Sequence, residues 1–324
     1  MLKIAITEKE YYKAQSTFEG AIKNGLMCIK SPSNENELSN FIKENHIRHV
    51  IIGVEPYRNS LYSALKPGAL IARFGVGVDN IDQTLASKHG LFCSNTPDAL
   101  TNCVAEHAMA LILSSARNIT NMTEEFRNGN WQPQMGSELW EKNLTIIGAG
   151  KIGSRLAQIA KFGFQMNVTG LQNINSKNSN YKFKENYDKL ELNFYDAVKN
   201  ADYISIHLPY QRETHHFLNK EKIDLIPSKA WVINTARGGL IDEQALFDAL
   251  SGKKIAGACL DVFESEPYIP RSPKKDLRAL CNVILTPHVG STTFEACQKM
   301  ANICLKNILF LEKGMISEMN LLFK

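Results

Sequence analysis

Four apolar runs in the second half of the chain each deliver an ionisable side chain at their carboxyl end. Tyr203–Ile206 is followed by His207-Leu208-Pro209, and Trp231–Ile233 by Asn234-Thr235-Ala236-Arg237-Gly238-Gly239. Ile255–Leu260 runs into Asp261, with Glu266-Pro267 close behind, and Val283–Leu285 runs into Thr286-Pro287-His288-Val289-Gly290. Each of these residues alone would more often be structural than catalytic. Together they compose a definite chemistry. Arginine presents a planar fork that grips a carboxylate through two hydrogen bonds. Histidine takes or gives a proton near neutral pH. A carboxylate bonded to that histidine stabilises the imidazolium and selects its tautomer. If the runs are strands of an open α/β sheet, their carboxyl ends share the edge at which ligands bind.

A glycine-rich turn points to the ligand at that edge. Leu144–Ile147 ends in Gly148-Ala149-Gly150-Lys151-Ile152-Gly153, and Ile152, Leu156, Ile159 and Ala160 then recur at helical spacing. A G-x-G-x-x-G between a strand and a helix is the context that dinucleotide binding requires. Gly148 would allow the tight turn, Gly150 the approach of the pyrophosphate, and Gly153 close packing of helix on strand. The free N–H groups near Lys151 and Ile152 would hold the phosphates. An acid about 20 residues further on usually binds the ribose. Here that stretch reads Met166 to Lys177 without one, and the next acid is Glu185. The cofactor choice, NAD or NADP, therefore stays open. Arg237, Glu266 and His288 beside a nicotinamide would suit hydride transfer on a 2-hydroxy or 2-oxo acid. No metal-ligand spacing competes, and there is no G-x-S-x-G nucleophile turn. His215-His216 reads as a solvated loop pair, and His107 as a helix packing or capping residue.

The elements that must position these groups follow from the pattern of the whole chain. Its 324 residues suggest about two domains at roughly 150 residues each. Apolar runs at Leu2–Ile6, Leu26–Ile29, Val50–Ile52 and Leu70–Ala72 alternate with polar stretches of helical spacing. That alternation implies βαβ units and parallel sheets. A long helix is expected from about Asn102 to Ile119, with Val104, Ala108, Leu111, Ile112 and Ser115 on one face. Asn173–Lys189, rich in Asn, Lys and Ser, reads as a solvated loop. A net charge of +4 without a basic stripe argues against nucleic acid. The run Ala108–Ala116 is too short to span a membrane, and Glu8, Lys9 and Glu10 interrupt any signal-peptide core. The 7 cysteines show no C-x-x-C spacing and suit free thiols in a reducing cytoplasm.

The ordered set of motifs resembles the D-isomer-specific 2-hydroxyacid dehydrogenases along nearly the whole chain. It comprises Arg73-Phe-Gly-Val-Gly-Val-Asp-Asn-Ile-Asp82, Asn95-Thr-Pro97, Val104-Ala-Glu106, the glycine turn, His207-Leu-Pro209 and Asn234 to Gly239. It continues through Leu260-Asp-Val-Phe263 with Glu266-Pro267, and Thr286 to Gly290. The resemblance implies Arg237 as the arginine on the substrate carboxylate, His288 as the general acid/base and Glu266 as its partner. It implies Asp261 on the nicotinamide carboxamide, and Thr235, Ala236 and Gly290 lining the nicotinamide. His207, Leu208 and Pro209 join the cofactor-binding set. Gly75 and Val76 would offer N–H groups to the substrate carboxylate.

The implied fold is α/β, two doubly wound parallel-sheet domains. A Rossmann cofactor domain (99–292) is inserted into a flavodoxin-like substrate domain (1–98 and 293–324). Arg237, Glu266 and His288 are expected to meet where the chain crosses between them. A homodimer is expected, with the helix after Asn102 at its contact. The partner is a small anionic 2-oxo or 2-hydroxy acid, and neither nucleic acid nor membrane is expected. Arg58 could bind a second anionic group of the substrate or lie in a solvated loop. Formate enzymes of this kind resemble a Gln–His pair, so Glu266 argues against formate. The alternative of another class is a non-catalytic NAD(H)-sensing interaction protein with the same fold. No regulatory domain is expected after Lys324.

Overall fold

Near-continuous burial along the strands, whose alternate residues enter opposite faces of the sheet, explains how the chain divides into layers. In the computed structural model, which describes residues 1–172 and 183–323, the backbone separates into two units. One, the split unit, comprises Met1–Leu100 and Ser291–Lys324; the other, the central unit, comprises Thr101–Gly290.

The split unit holds β1 (Leu2–Thr7), β2 (Leu26–Ser31), β3 (His49–Ile52), β4 (Leu70–Arg73) and β5 (Phe92–Ser94). They form one parallel sheet in the order β2-β1-β3-β4-β5, the flavodoxin-like order. Successive residues face opposite sides, as a strand requires. Ile4 and Ile6 enter the core beneath the helix Phe294–Glu312, while Ala5 between them joins Val50, Ile52 and Ile71 on the other face. Asp82 and Thr293 cap their helices by accepting backbone N–H groups.

The central unit holds β6 (Asn143–Ile147), β7 (Asn167–Leu171), β8 (Lys189–Glu191), β9 (Tyr203–Ile206), β10 (Trp231–Asn234), β11 (Gly257–Leu260) and β12 (Val283–Leu285). Their parallel order is β12-β11-β10-β9-β6-β7-β8. This is the doubly wound dinucleotide-binding order with one further strand. The order reverses beside β6, between β7 and β9, so the glycine turn that follows β6 stands at the switch point.

Two expectations are corrected. The helix after Asn102 runs only from Thr101 to Ala116. Asn118 adopts a left-handed conformation (φ 52°), and a second helix, Ile119–Arg127, starts after it. Asparagine is among the few residues that tolerate that conformation. The apolar side of the first helix is buried in its own unit, with Ala108, Met109 and Ile112 packed among Leu144, Ile146 and Leu156. The second correction concerns Asn173–Lys189, whose residues 173–182 lie outside the described residues. The rest is not a solvated loop: Asn186 and Tyr187 are buried, and Lys189 opens β8. Asn186 Nδ2 donates to the Ser154 carbonyl at 3.1 Å, and the Tyr187 hydroxyl lies 3.1 Å from Ser154 Oγ. Polar composition concealed two side chains whose hydrogen bonds are satisfied inside.

His49 makes the split unit sensitive to acid. Its ring is fully buried. Nδ1 accepts the N–H of Leu70 at 2.9 Å, and Nε2 lies 3.0 Å from Glu312 Oε1. Burial outweighs the help of Glu312 and lowers the pKa to about 4. The unfolded chain protonates this ring first, so stability present at neutral pH is lost as pH falls from the ordinary histidine range toward 4. The expected loss is roughly 2–3 kcal/mol. Thermal unfolding of the wild type and His49→Gln across that range checks it: the substitution should flatten the decline, and equal slopes would contradict the assignment.

Candidate functional site

The carboxyl edge of the central sheet gathers the side chains that the sequence singled out there. Arg237 follows β10 in a turn built by Asn234. The Asn234 side chain donates to the Arg237 carbonyl at 2.8 Å and accepts the Ala236 N–H at 3.0 Å. Arg237 itself is half-buried, and its guanidinium donates to the Ala236 carbonyl at 2.8 Å. Gly238 lies flat against the backbone of Phe263 and Glu264, where any Cβ would overlap their atoms. A glycine is therefore required for the arginine turn to meet the segment that carries Glu266.

Glu266 and His288 form a pair. Glu266 Oε2 lies 2.6 Å from His288 Nδ1, and Oε1 accepts the Phe263 N–H at 3.1 Å. Both side chains are about 30% exposed (27% for His288, 31% for Glu266), so the pair is reachable but not freely hydrated. With Nδ1 facing the carboxylate, Nε2 is the atom left to exchange a proton with a ligand. His288 has a φ of 53°. Such a conformation is costly for a residue with a Cβ and persists only where its surroundings impose it.

Asp261 imposes it. Its backbone carbonyl accepts the His288 N–H at 2.8 Å. Its buried carboxylate accepts the Thr286 hydroxyl at 2.6 Å and the N–H groups of Val289 and Gly290 at 2.9 and 2.8 Å. Burial alone would raise its pKa. The hydrogen bonds from His107, Thr286, Val289 and Gly290 outweigh burial and hold the carboxyl below its ordinary value. His107 Nε2 stands 3.3 Å from Asp261 Oδ1 and 3.2 Å from Thr286 Oγ1. The helix Thr101–Ala116 thus does more than pack: it carries a side chain that braces the histidine loop. The sequence offered only a lone histidine on an apolar helix, with nothing to link it to Asp261.

The glycine turn fits a dinucleotide. Gly148 has φ 100°, and a Cβ there would lie 2.8 Å from the His207 carbonyl. Gly150 faces open space, and the helix Lys151–Gln158 begins without a side-chain cap. A helix start of this kind suits an anion. The Thr235 hydroxyl is buried with no hydrogen-bond partner among the described residues. Such an orphan would be satisfied by a ligand group. His207 Nε2 lies 2.8 Å from Ser205 Oγ, and burial lowers its pKa to about 4, so it stays neutral at physiological pH. Leu208 is half-buried and Pro209 exposed beyond it.

In the split unit, the Gly75 N–H donates to the Arg73 carbonyl at 2.9 Å. The Gly75 and Val76 carbonyls accept from Thr96 and Asn95. Arg58 is tied to the same region, donating to the Asp79 carbonyl at 3.0 Å.

The sequence model described as D-isomer specific 2-hydroxyacid dehydrogenase, NAD binding domain, matches residues 109–290, more than half of the chain. The chain belongs to this family. It is 37% identical over 256 residues to a protein named glyoxylate reductase from Pyrococcus furiosus, covering 76% of this chain and 74% of that one. It is 36% identical to D-3-phosphoglycerate dehydrogenase of Methanocaldococcus jannaschii, covering 98% of this chain and 59% of that one. A crystal structure of D-lactate dehydrogenase from Aquifex aeolicus, complexed with NAD and lactic acid, superposes with a TM-score of 0.83 at 27% identity, covering 98% of both chains. The 2-hydroxyacid dehydrogenase described here is thus an oxidoreductase that moves a hydride between a nicotinamide cofactor and a 2-hydroxy or 2-oxo acid. No helix among its described residues is long and apolar enough to cross a membrane, and none of their His, Cys, Asp and Glu groups could hold a metal ion.

Proposed function

We propose that this dehydrogenase reduces a small 2-oxo acid to the D-2-hydroxy acid, with Arg237, Glu266 and His288 as its catalytic residues. The observation that carries the reading is the Glu266–His288 pair at 2.6 Å on the strand edge that also bears Arg237. The nicotinamide supplies the hydride when bound. His288 Nε2 gives its proton to the oxygen on C2 as the carbonyl is reduced, and takes it back in the reverse direction. Glu266 holds Nδ1 and so fixes the orientation of the ring, leaving Nε2 toward the substrate. Arg237 orients the substrate carboxylate through its fork and polarises the 2-oxo group. The Val76 N–H is assigned to an anion as well, while that of Gly75 is engaged with Arg73.

Gly148, Gly150, Lys151, Ile152 and Gly153 are assigned to the pyrophosphate. Thr235, Ala236, His207, Leu208, Pro209, Asp261 and Gly290 are assigned to the nicotinamide side. Strand β7 ends at Leu171 and is followed by Gln172, with no carboxylate at either position, so the ribose edge is proposed to tolerate NADP as well as NAD. Free thiols at all described cysteines suit a cytoplasmic location.

We also propose a homodimer, built on the segment after Asn118. Phe126, Trp131, Met135 and Trp140 are 61–94% exposed there. Large apolar side chains left exposed in one segment are what a twofold partner would cover. Steady-state rates with glyoxylate, hydroxypyruvate, pyruvate and their phosphorylated analogues, each with NADH and NADPH separately, test the function. Turnover with at least one 2-oxo acid supports it, and none with any would overturn it.

A further inference from the structure

A second group of ionisable side chains in the central unit shares the segment that carries Glu266. Glu264 lies two residues before it, with its side chain only 10% exposed. Oε1 of Glu264 is 2.6 Å from His216 Nε2, and Oε2 pairs with the Arg271 guanidinium. The Glu264 N–H donates to Glu243 Oε1 at 2.6 Å, from the first turn of the helix Glu243–Ser251. His216 stacks on His215 at 3.9 Å between ring centroids, and His215 Nδ1 lies 3.2 Å from the Tyr210 hydroxyl. Of the pair expected in a solvated loop, His215 is exposed, while His216 is half-buried and held by Glu264.

The backbone of His216 points to what the group does. Its N–H donates to the Gly239 carbonyl at 2.8 Å, in the turn that carries Arg237. One residue thus grips the arginine turn through its main chain and the Glu266 segment through its ring. Two carboxylates, Glu243 and Glu264, meet at that segment. A buried carboxylate is tolerated only with hydrogen-bonded or charged partners. His216 and Arg271 are those partners for Glu264.

We propose that His216, acting through Glu264, is a positioning residue that fixes the Glu266 segment against the Arg237 turn. This rests on the reading of Glu266 as the partner of His288. It is a constraint on geometry, since small displacements of a catalytic group cost large factors in rate.

A double-mutant cycle with His216→Gln and Glu266→Gln tests it. His216→Gln is expected to lower kcat about tenfold, to leave KM for the dinucleotide unchanged, and to displace the pH–rate profile in the same direction as Glu266→Gln. In the Glu266→Gln background the same change should cost less than about twofold, because the group it positions is already lost. Equal costs in both backgrounds, or an unchanged kcat in the single variant, would overturn the proposal while leaving the Glu266 role intact. If Glu266→Gln itself changes neither kcat nor the pH profile, the underlying reading fails and the proposal with it. Should His216→Gln not fold, Arg271→Gln removes the other partner of Glu264 from an exposed position, and the same non-additivity with Glu266→Gln is required.

Discussion

His288→Asn should abolish turnover while leaving dinucleotide binding nearly intact. Asparagine tolerates the left-handed backbone that residue 288 adopts, so the loop held by Asp261 should keep its shape. Its amide can still donate to Glu266. What it lacks is a second nitrogen able to exchange a proton with the substrate oxygen. General acid–base catalysis contributes roughly 10²–10⁴-fold, and kcat should fall within or beyond that range. Steady-state assay and fluorescence titration with NADH, run on one preparation, separate the two effects. A variant retaining a tenth of the wild-type kcat would remove His288 from the reaction. Loss of NADH binding would show that the loop had collapsed instead.

Arg237→Lys is the second large expectation. Lysine keeps the charge and most of the length but loses the fork, so it can hold a carboxylate only as a point charge. Hydrogen bonds to charged groups contribute about 1.5–3 kcal/mol each, and each 1.4 kcal/mol is tenfold. Loss of the bidentate grip should lower kcat/KM about a hundredfold, mainly through KM for the 2-oxo acid. The dinucleotide KM should not move. The turn itself should survive, since it is made by the Asn234 side chain and the main chain of residue 237. A change of less than threefold in kcat/KM would mean that the carboxylate is held elsewhere.

The parts of the fold legible in the sequence were those in which burial is continuous. The runs beginning at Leu2, Leu144, Tyr203 and Trp231 are central strands, and such strands read as unbroken apolar segments; Val283–Leu285 lies at an edge but is legible because all three of its residues are apolar. Phe92–Ser94 and Lys189–Glu191 did not read as strands. Each is a three-residue edge strand paired on one side only, and Lys-Leu-Glu has no apolar run at all. The same division holds at the candidate site. Arg237, Glu266 and His288 were visible because each follows a legible strand. The braces were not: His107 reaches Asp261 across 154 positions of sequence (107 to 261), and His216 reaches Glu264 across 48. Spacing along a chain carries no signal for such contacts.

In the proposed reaction a hydride reaches C2 of a 2-oxo acid while His288 protonates the adjoining oxygen. Reduction of pyruvate, or whichever chiral-product substrate the rate survey favours, with NADH carrying deuterium at both C4 positions of the nicotinamide tests this. The expected product carries one deuterium on C2, none acquired there from solvent, and the D configuration throughout. A product carrying solvent hydrogen at C2, an L or racemic product, or NADH bound but never consumed, would contradict it.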